Sequence, residues 1–325
     1  MSEVSEMLLQ NAQKYLEVVR KRGEAKKGLR RVYRIICCQE LYLLAYSHLY
    51  ANKGALTPGV DPADTVDGMS MARIDTIIDT LKRHEYEWKP VRRTHILKRD
   101  GKRTRPLGIP GWSDKLVMEV IRMVLEAYYE PQFRDCSHGF RPGRGCHTAL
   151  DAVNTWKGVR WFIEGDIKGC FDNLHFHIII RILRRSIHDE AFLRLIRGML
   201  EAGYVEDWKY HQTYSGTPQG GVVSPLLMNI VLHELDVFVE DVLIPQYTAG
   251  TRRKVNPEYR KLAHAIQKAQ KEGHWKEANR LRRNYSKLPS KLQNDPNFRR
   301  LWYVRYADDT LFGFIGTRQE AEMIK

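Results

Sequence analysis

Apolar residues recur at helical spacing through much of the first 130 positions and then change period. Residues 5–50 contain no proline and read as helical, ending before the turn Thr57-Pro58-Gly59. Ile74, Ile77, Ile78 and Leu81 place a second helix over 70–84, and Leu116, Val117, Val120, Val124 and Leu125 another over 113–130. Between them, Pro90–Lys98 and Lys102–Ile109 flank Asp100-Gly101 and predict a hairpin. From 160 onward Trp161–Asp166 reads as a strand, with helix over 173–201 and again over 222–240. Residues 300–314 form two apolar strands around Ala307-Asp308-Asp309. Ahead of that hairpin, Asn256-Pro257 offers an N-cap with proline at the first helical position, and Leu262, Ile266 and Ala269 share one face. Gly273 ends this helix, and Trp275, Ala278 and Leu281 make a second apolar stripe. The prediction there is a helical hairpin with a narrow apolar seam.

The length of 325 residues allows one large or two medium domains. Hydrophobic residues at 43% and charged residues at 28% fit a globular chain, and no apolar run is long enough to cross a bilayer. The start, Met1 to Glu6, lacks a basic n-region followed by an apolar core, so a cytoplasmic location is expected. Five cysteines without CxxC spacing argue against zinc or disulfides. Charge changes the picture more. The net charge is +14, and residues 241–300 hold 15 Lys/Arg against five Asp/Glu, while residues 20–34 hold eight against one. Such clustering, with Tyr and Trp interleaved, points to a nucleic-acid partner rather than to solvated helix faces.

Three carboxylates are candidates for chemistry. Asp166 ends one apolar strand, and Asp308 and Asp309 lie at the tip of an apolar hairpin. Adjacent carboxylates repel unless a cation neutralises them, and Mg²⁺ takes one or two carboxylates plus substrate phosphates. Taken alone, Asp-Asp is a common surface turn.

The surrounding strings decide otherwise. Tyr306-Ala307-Asp308-Asp309 resembles the YxDD box of reverse transcriptases. In the order of that family, the chain also carries Arg105-Pro106-Leu107-Gly108-Ile109-Pro110 and Ser137-His138-Gly139-Phe140-Arg141-Pro142-Gly143-Arg144-Gly145. Asp166-Ile167-Lys168-Gly169-Cys170-Phe171-Asp172 and Gly216-Thr217-Pro218-Gln219-Gly220-Gly221-Val222-Val223-Ser224-Pro225-Leu226 follow. The form of these blocks, with Asn52-Lys53-Gly54-Ala55 and Gly59-Val60-Asp61 near the start, is similar to the bacterial group II intron reverse transcriptases, or maturases.

This resemblance implies an α+β, right-hand polymerase fold. Its expected parts are a helix-rich basic N-terminal extension (1–70), fingers (71–160) and an incomplete palm with an antiparallel sheet (161–325), interrupted by a basic helical insertion (241–300). It implies that Asp166, Asp308 and Asp309 are catalytic and, with the Ile167 carbonyl, hold two Mg²⁺ ions, for which Mn²⁺ can substitute. It further implies that Phe171 excludes a 2′-hydroxyl and selects dNTPs, and that Lys98, Arg105 and Gln219 bind the incoming nucleotide. Arg30, Arg31, Arg34, Arg252, Arg253 and Lys254 are expected RNA contacts. Arg141 and Arg144 are read either as template contacts or as structural ion pairs. The expected partners are group II intron RNA, an RNA template with a DNA primer, and target DNA through segments beyond this chain.

The chain stops 16 residues after Asp309, so the expectation is a truncated product without a thumb, weak in processive synthesis, with exposed apolar surface that allows a homodimer. Two other readings compete. One is an RNA-binding splicing cofactor whose polymerase site is unused; the intact aspartates, Phe171 and Gln219 argue against it. The other is a retron or diversity-generating reverse transcriptase, which the long N-terminal region and the basic insertion disfavour.

Overall fold

A computed structural model of the chain describes residues 3–52, 54–97, 101–102, 104–213, 221–293 and 295–325. Eight strands are present among them: β1 (Val91–Leu97), β2 (Thr104–Ile109), β3 (Ser137–His138), β4 (Trp161–Asp166), β5 (Tyr204–Glu206), β6 (Lys209–His211), β7 (Arg300–Tyr306) and β8 (Asp309–Ile315). Helices and mixed sheets make this an α+β chain. It divides into two compact units, one of residues 1–145 and 167–235, the other of 146–166 and 236–325. Each unit is discontinuous in sequence, unlike the contiguous segments expected from the sequence.

The first unit is built around the helix Trp112–Tyr129. Leu116, Val117, Val120, Ile121, Val124 and Leu125 on it are fully buried or nearly so. The expected long N-terminal helix is three: Glu3–Glu24, Val32–Ile36 and Gln39–Tyr50. The first packs so closely that a Cβ at Gly23 would overlap the Tyr128 carbonyl. The helical stretch expected over 173–201 is likewise broken, into Cys170–Asn173, Phe176–Ser186 and Glu190–Glu201. Asp189 supplies the break by capping the last of these, accepting from the Phe192 N–H at 3.2 Å. Here β1 pairs antiparallel with β2 and parallel with β5, and β5 turns into β6 through Asp207 and Trp208, both at positive φ. That small hairpin has no glycine at its turn and was invisible to residue patterns.

Buried carboxylates brace the start of the central helix. Asp64 accepts from the Ser113 N–H and hydroxyl and from Arg73 at 2.6 Å. Asp114, 3% exposed, accepts from the Tyr86 hydroxyl at 2.6 Å and the Lys89 N–H at 3.2 Å.

In the second unit the strands run β7-β8-β4, all antiparallel. Alternation sends Trp161, Ile163, Leu301, Phe312 and Phe314 to one face, where Leu243, Ile244 and Tyr247 pack against them. The opposite face carries Phe162, Trp302 and, between them, Gly313. The Trp156 indole fills the space over Gly313, stacked with Trp302 and Phe162 at 6.2 and 6.5 Å. A Cβ on Gly313 would meet that indole at 2.6 Å.

The insertion forms the helical hairpin expected, as Pro257–Lys271 and Trp275–Tyr285. Asn256 caps the first helix by accepting from the Glu258 N–H at 3.1 Å, and Gly273 takes φ +76° at the connection. Ile266, Ala269 and Ala278 are buried in the seam, but Trp275, expected there, is 60% exposed at the first position of its helix. At the hairpin's base Asp295 accepts from the Lys254 and Asn297 N–H groups, which hold its carboxyl below the ordinary range.

Burial pushes the Asp114 carboxyl up from its ordinary 3.8 to about 6, reinforced by the charge of Asp64 and opposed by the Tyr86 and Lys89 hydrogen bonds. The folded chain therefore keeps a proton across this window that the unfolded chain has released, so stability falls as pH rises through it. Relative to Asp114→Asn, the native chain is expected to lose up to about 3 kcal/mol between pH 4 and 7. Urea denaturation of both at the two pH values measures this; a constant difference would contradict it.

Candidate functional site

Asp166 is the last residue of β4 and stands directly opposite Asp309, the first of β8. Such partners lie about 4.5–5.5 Å apart between Cα atoms. Asp308 sits in the two-residue connection between β7 and β8, whose last register pair is Tyr306 with Asp309. The three carboxylates thus gather at one end of one sheet, as the sequence reading expected. Two-residue connections of this type place their first residue at positive φ, where glycine is usual. Ala307 occupies that place at φ +55°, a conformation that costs a residue with a Cβ about 1–2 kcal/mol.

The Ala307 carbonyl accepts a 2.7 Å hydrogen bond from Arg305 Nη1. Arg305 itself points into the face of the sheet opposite the aspartates and pairs with Asp236, both side chains being 0% exposed. Neither residue was singled out from the sequence. The signal was there, as a lone charge of each sign inside an apolar stretch: Leu235-Asp236-Val237-Phe238 and Tyr303-Val304-Arg305.

Asp309's carboxyl is raised above its ordinary value, first by burial and then by the negative charges of Asp308 and Asp166. Carboxylates are hard oxygen donors, the kind that a divalent cation takes. Among the described residues no cluster of three or more His, Cys, Asp or Glu encloses a metal by itself. The Ile167 carbonyl accepts from the Cys170 N–H at 3.1 Å, which leaves its second lone pair for another partner.

The other expected site residues belong to the first unit. Arg105 is exposed on β2, in register with Ile96 on β1. Phe171 lies half-buried on the one-turn helix Cys170–Asn173, edge-on to Phe140 at 6.5 Å. Phe140 is held in a left-handed turn with Gly139, whose carbonyl accepts from the buried Asn229 at 3.1 Å. Asn229, missed in the sequence, thereby ties the Ser137–Gly145 block to the helix Ser224–Phe238. Lys98 and Gln219 lie outside the described residues.

The basic residues divide by what their side chains touch. Arg30, Arg31, Arg34, Arg252 and Lys254 are exposed. Arg253 is not a free contact: it donates to the Gly158 carbonyl at 3.2 Å and lies over Phe298, which Arg300 covers as well. Arg144 pairs with Asp135 and donates to its carbonyl at 2.9 Å. Arg141 corrects one expectation. Its side chain is 3% exposed, and its guanidinium bonds Glu130 and the carbonyls of Arg134 and Ser137, so of its two readings the ion pair is the one realised. Arg141→Ala is therefore expected to lower stability by about 2–3 kcal/mol, since Glu130 is left a partly buried charge. RNA affinity of the folded protein should not change. Chemical denaturation and fluorescence anisotropy measure the two; weaker RNA binding at full stability would reverse the assignment.

Residues 96–248 match the reverse transcriptase (RNA-dependent DNA polymerase) family. The group II intron-encoded protein LtrA of Lactococcus lactis subsp. cremoris is 44% identical over 303 residues, covering 91% of this chain and 50% of the relative. The uncharacterized 91 kDa protein in the cob intron of Schizosaccharomyces pombe is 42% identical over 294 residues, covering 88% of this chain and 35% of that protein. Protein YkfC of Escherichia coli K12 is 32% identical over 308 residues, which is 91% of this chain and 74% of YkfC. The chain thus spans half the length of LtrA, and no described helix is long and apolar enough to cross a membrane. By these similarities the chain belongs to the group II intron-encoded reverse transcriptases.

Proposed function

We propose that the chain is the RNA-templated DNA-synthesising part of a group II intron-encoded protein, and that it also binds intron RNA to assist splicing and mobility. The observation that carries this is the pairing of Asp166 with Asp309 across β4 and β8, with Asp308 at the adjoining turn. In this reading β4, β7 and β8 are the palm sheet and the β1–β2 hairpin belongs to the fingers. Asp166, Asp308, Asp309 and the Ile167 carbonyl would hold two Mg²⁺ ions, which when bound acidify the primer 3′-hydroxyl and neutralise charge on the transferring phosphoryl group. The aspartates orient that hydroxyl for in-line attack on a dNTP. Arg105 offers a bidentate fork to the triphosphate, with Lys98 and Gln219 as further contacts. Phe171, packed on Phe140, fills the space a 2′-hydroxyl would need.

For RNA, the exposed cations of the insertion are the main surface. Lys261, Lys268, Lys271, Arg280 and Arg283 stand on the outside of its two helices, beside Arg252 and Lys254 at its base. Arg30, Arg31 and Arg34 form a second basic group. Helices bearing cations suit structured RNA, which is bound through shape and backbone.

Primer extension on an RNA template tests the polymerase reading. Mg²⁺-dependent extension with dNTPs, absent in Asp308→Ala, is expected, while Phe171→Ala should begin to accept rNTPs. Extension that survives Asp308→Ala would refute the site. For RNA binding, Arg252→Ala with Lys254→Ala should weaken affinity and flatten its salt dependence, by about one unit of slope per lost phosphate contact. Anisotropy titrations over a range of salt measure this, and an unchanged slope would exclude these two residues.

A further inference from the structure

The cluster behind the Asp308 turn has a geometry that stability alone does not explain. Arg305 Nε and Nη2 donate to Asp236 Oδ1 and Oδ2 at 2.8 and 2.7 Å, and the Tyr303 hydroxyl donates to Oδ1 at 2.9 Å. All three side chains are buried. Removing two ions from water cancels most of their attraction, so apolar residues of similar size would hold the fold about as well. What apolar residues cannot do is reach the turn. Arg305 Nη1 donates to the Ala307 carbonyl at 2.7 Å, and Ala307 is held at φ +55°. Lysine could not replace this arrangement, because only a planar fork grips a carboxylate in two places and aims a third donor at a fixed angle.

The turn needs such a hold. Asp308 follows Ala307 directly, and its charge adjoins those of Asp309 and Asp166, which repel it. Only Ala307 and Asp308 separate the last register pair, so rotation of the Ala307 peptide redirects the Asp308 carboxylate. We propose that Arg305, oriented by Asp236 and Tyr303, is a positioning residue for Asp308: it fixes the Ala307 peptide and so the direction in which the Asp308 carboxylate leaves the turn. This rests on reading the three aspartates as the metal-holding site of nucleotidyl transfer.

A single substitution would strand a buried charge, so the informative variant is Arg305→Met with Asp236→Leu and Tyr303→Phe, which removes the polar cluster and keeps its volume. The full chain, this triple variant, Arg305→Lys and Asp308→Ala are compared by thermal melting, by Mn²⁺ binding followed by electron paramagnetic resonance, and by the Mg²⁺ concentration giving half-maximal extension. The triple variant should melt within a few degrees of the native chain. It should bind Mn²⁺ about 10- to 100-fold more weakly and need correspondingly more Mg²⁺, with KM for dNTP unchanged, as is typical when support behind a metal ligand is lost. Arg305→Lys should shift the same way by less, and it carries the test if the triple variant does not fold. Native Mn²⁺ affinity in a folded triple variant or in Arg305→Lys would overturn the proposal. Absence of Asp308-dependent Mn²⁺ binding in the native chain would instead refute the reading of the site itself.

Discussion

Two opposite charges taken out of water, Arg305 and Asp236, sit directly behind the place where three like charges are forced together. The aspartates can share one end of a sheet only because strand pairing fixes Asp166 against Asp309 and the turn fixes Asp308 beside them. Repulsion among them works to open that turn. The guanidinium opposes it from the far face of the sheet, through a hydrogen bond to a peptide that is itself in an unfavourable conformation. On the proposed reading a cation completes this site, which is electrostatically incomplete without one.

The rest of the second unit gives that end of the sheet a firm base. Leu301, Phe312 and Phe314 close one face, and the Trp156 stack over Gly313 closes part of the other, three or more residues along the strands from the aspartates. The basic insertion leaves and rejoins the chain close to the far end of β7, where Asp295 binds backbone on both sides of the hairpin. Most of the insertion's cations are exposed. Arg253 and Arg141 are the instructive exceptions, since each sits in a basic motif and each is committed within the protein.

Periodicity made most elements legible. The helix Met71–Lys82, the β1–β2 hairpin, β4, the β7–β8 hairpin and both insertion helices lie where apolar spacing and caps place them. Breaks inside helical stretches were less visible, because Asp189 and the residues near Arg31 act through caps and positive φ rather than through proline or glycine. The small β5–β6 hairpin was lost for the same reason. In the site, the carboxylates were legible because the motif residues are themselves the chemistry. The residues that position them were not. Asp236 lies 69 positions from Arg305, and a charge inside an apolar stretch does not say which opposite charge the fold will bring to it. Discontinuous packing units escape any reading along the chain for the same reason.

On the proposed reading the three aspartates form a like-charge cluster that a divalent cation completes. That claim can be tested without primer or template by thermal melting of the native chain, Asp308→Asn and Asp309→Asn, each in chelator and in Mg²⁺. In chelator both variants should melt above the native chain, since each removes one repelling charge, and Mg²⁺ should raise the native melting temperature while leaving the variants nearly unmoved. A native chain indifferent to Mg²⁺, with variants no more stable than it, would contradict the claim.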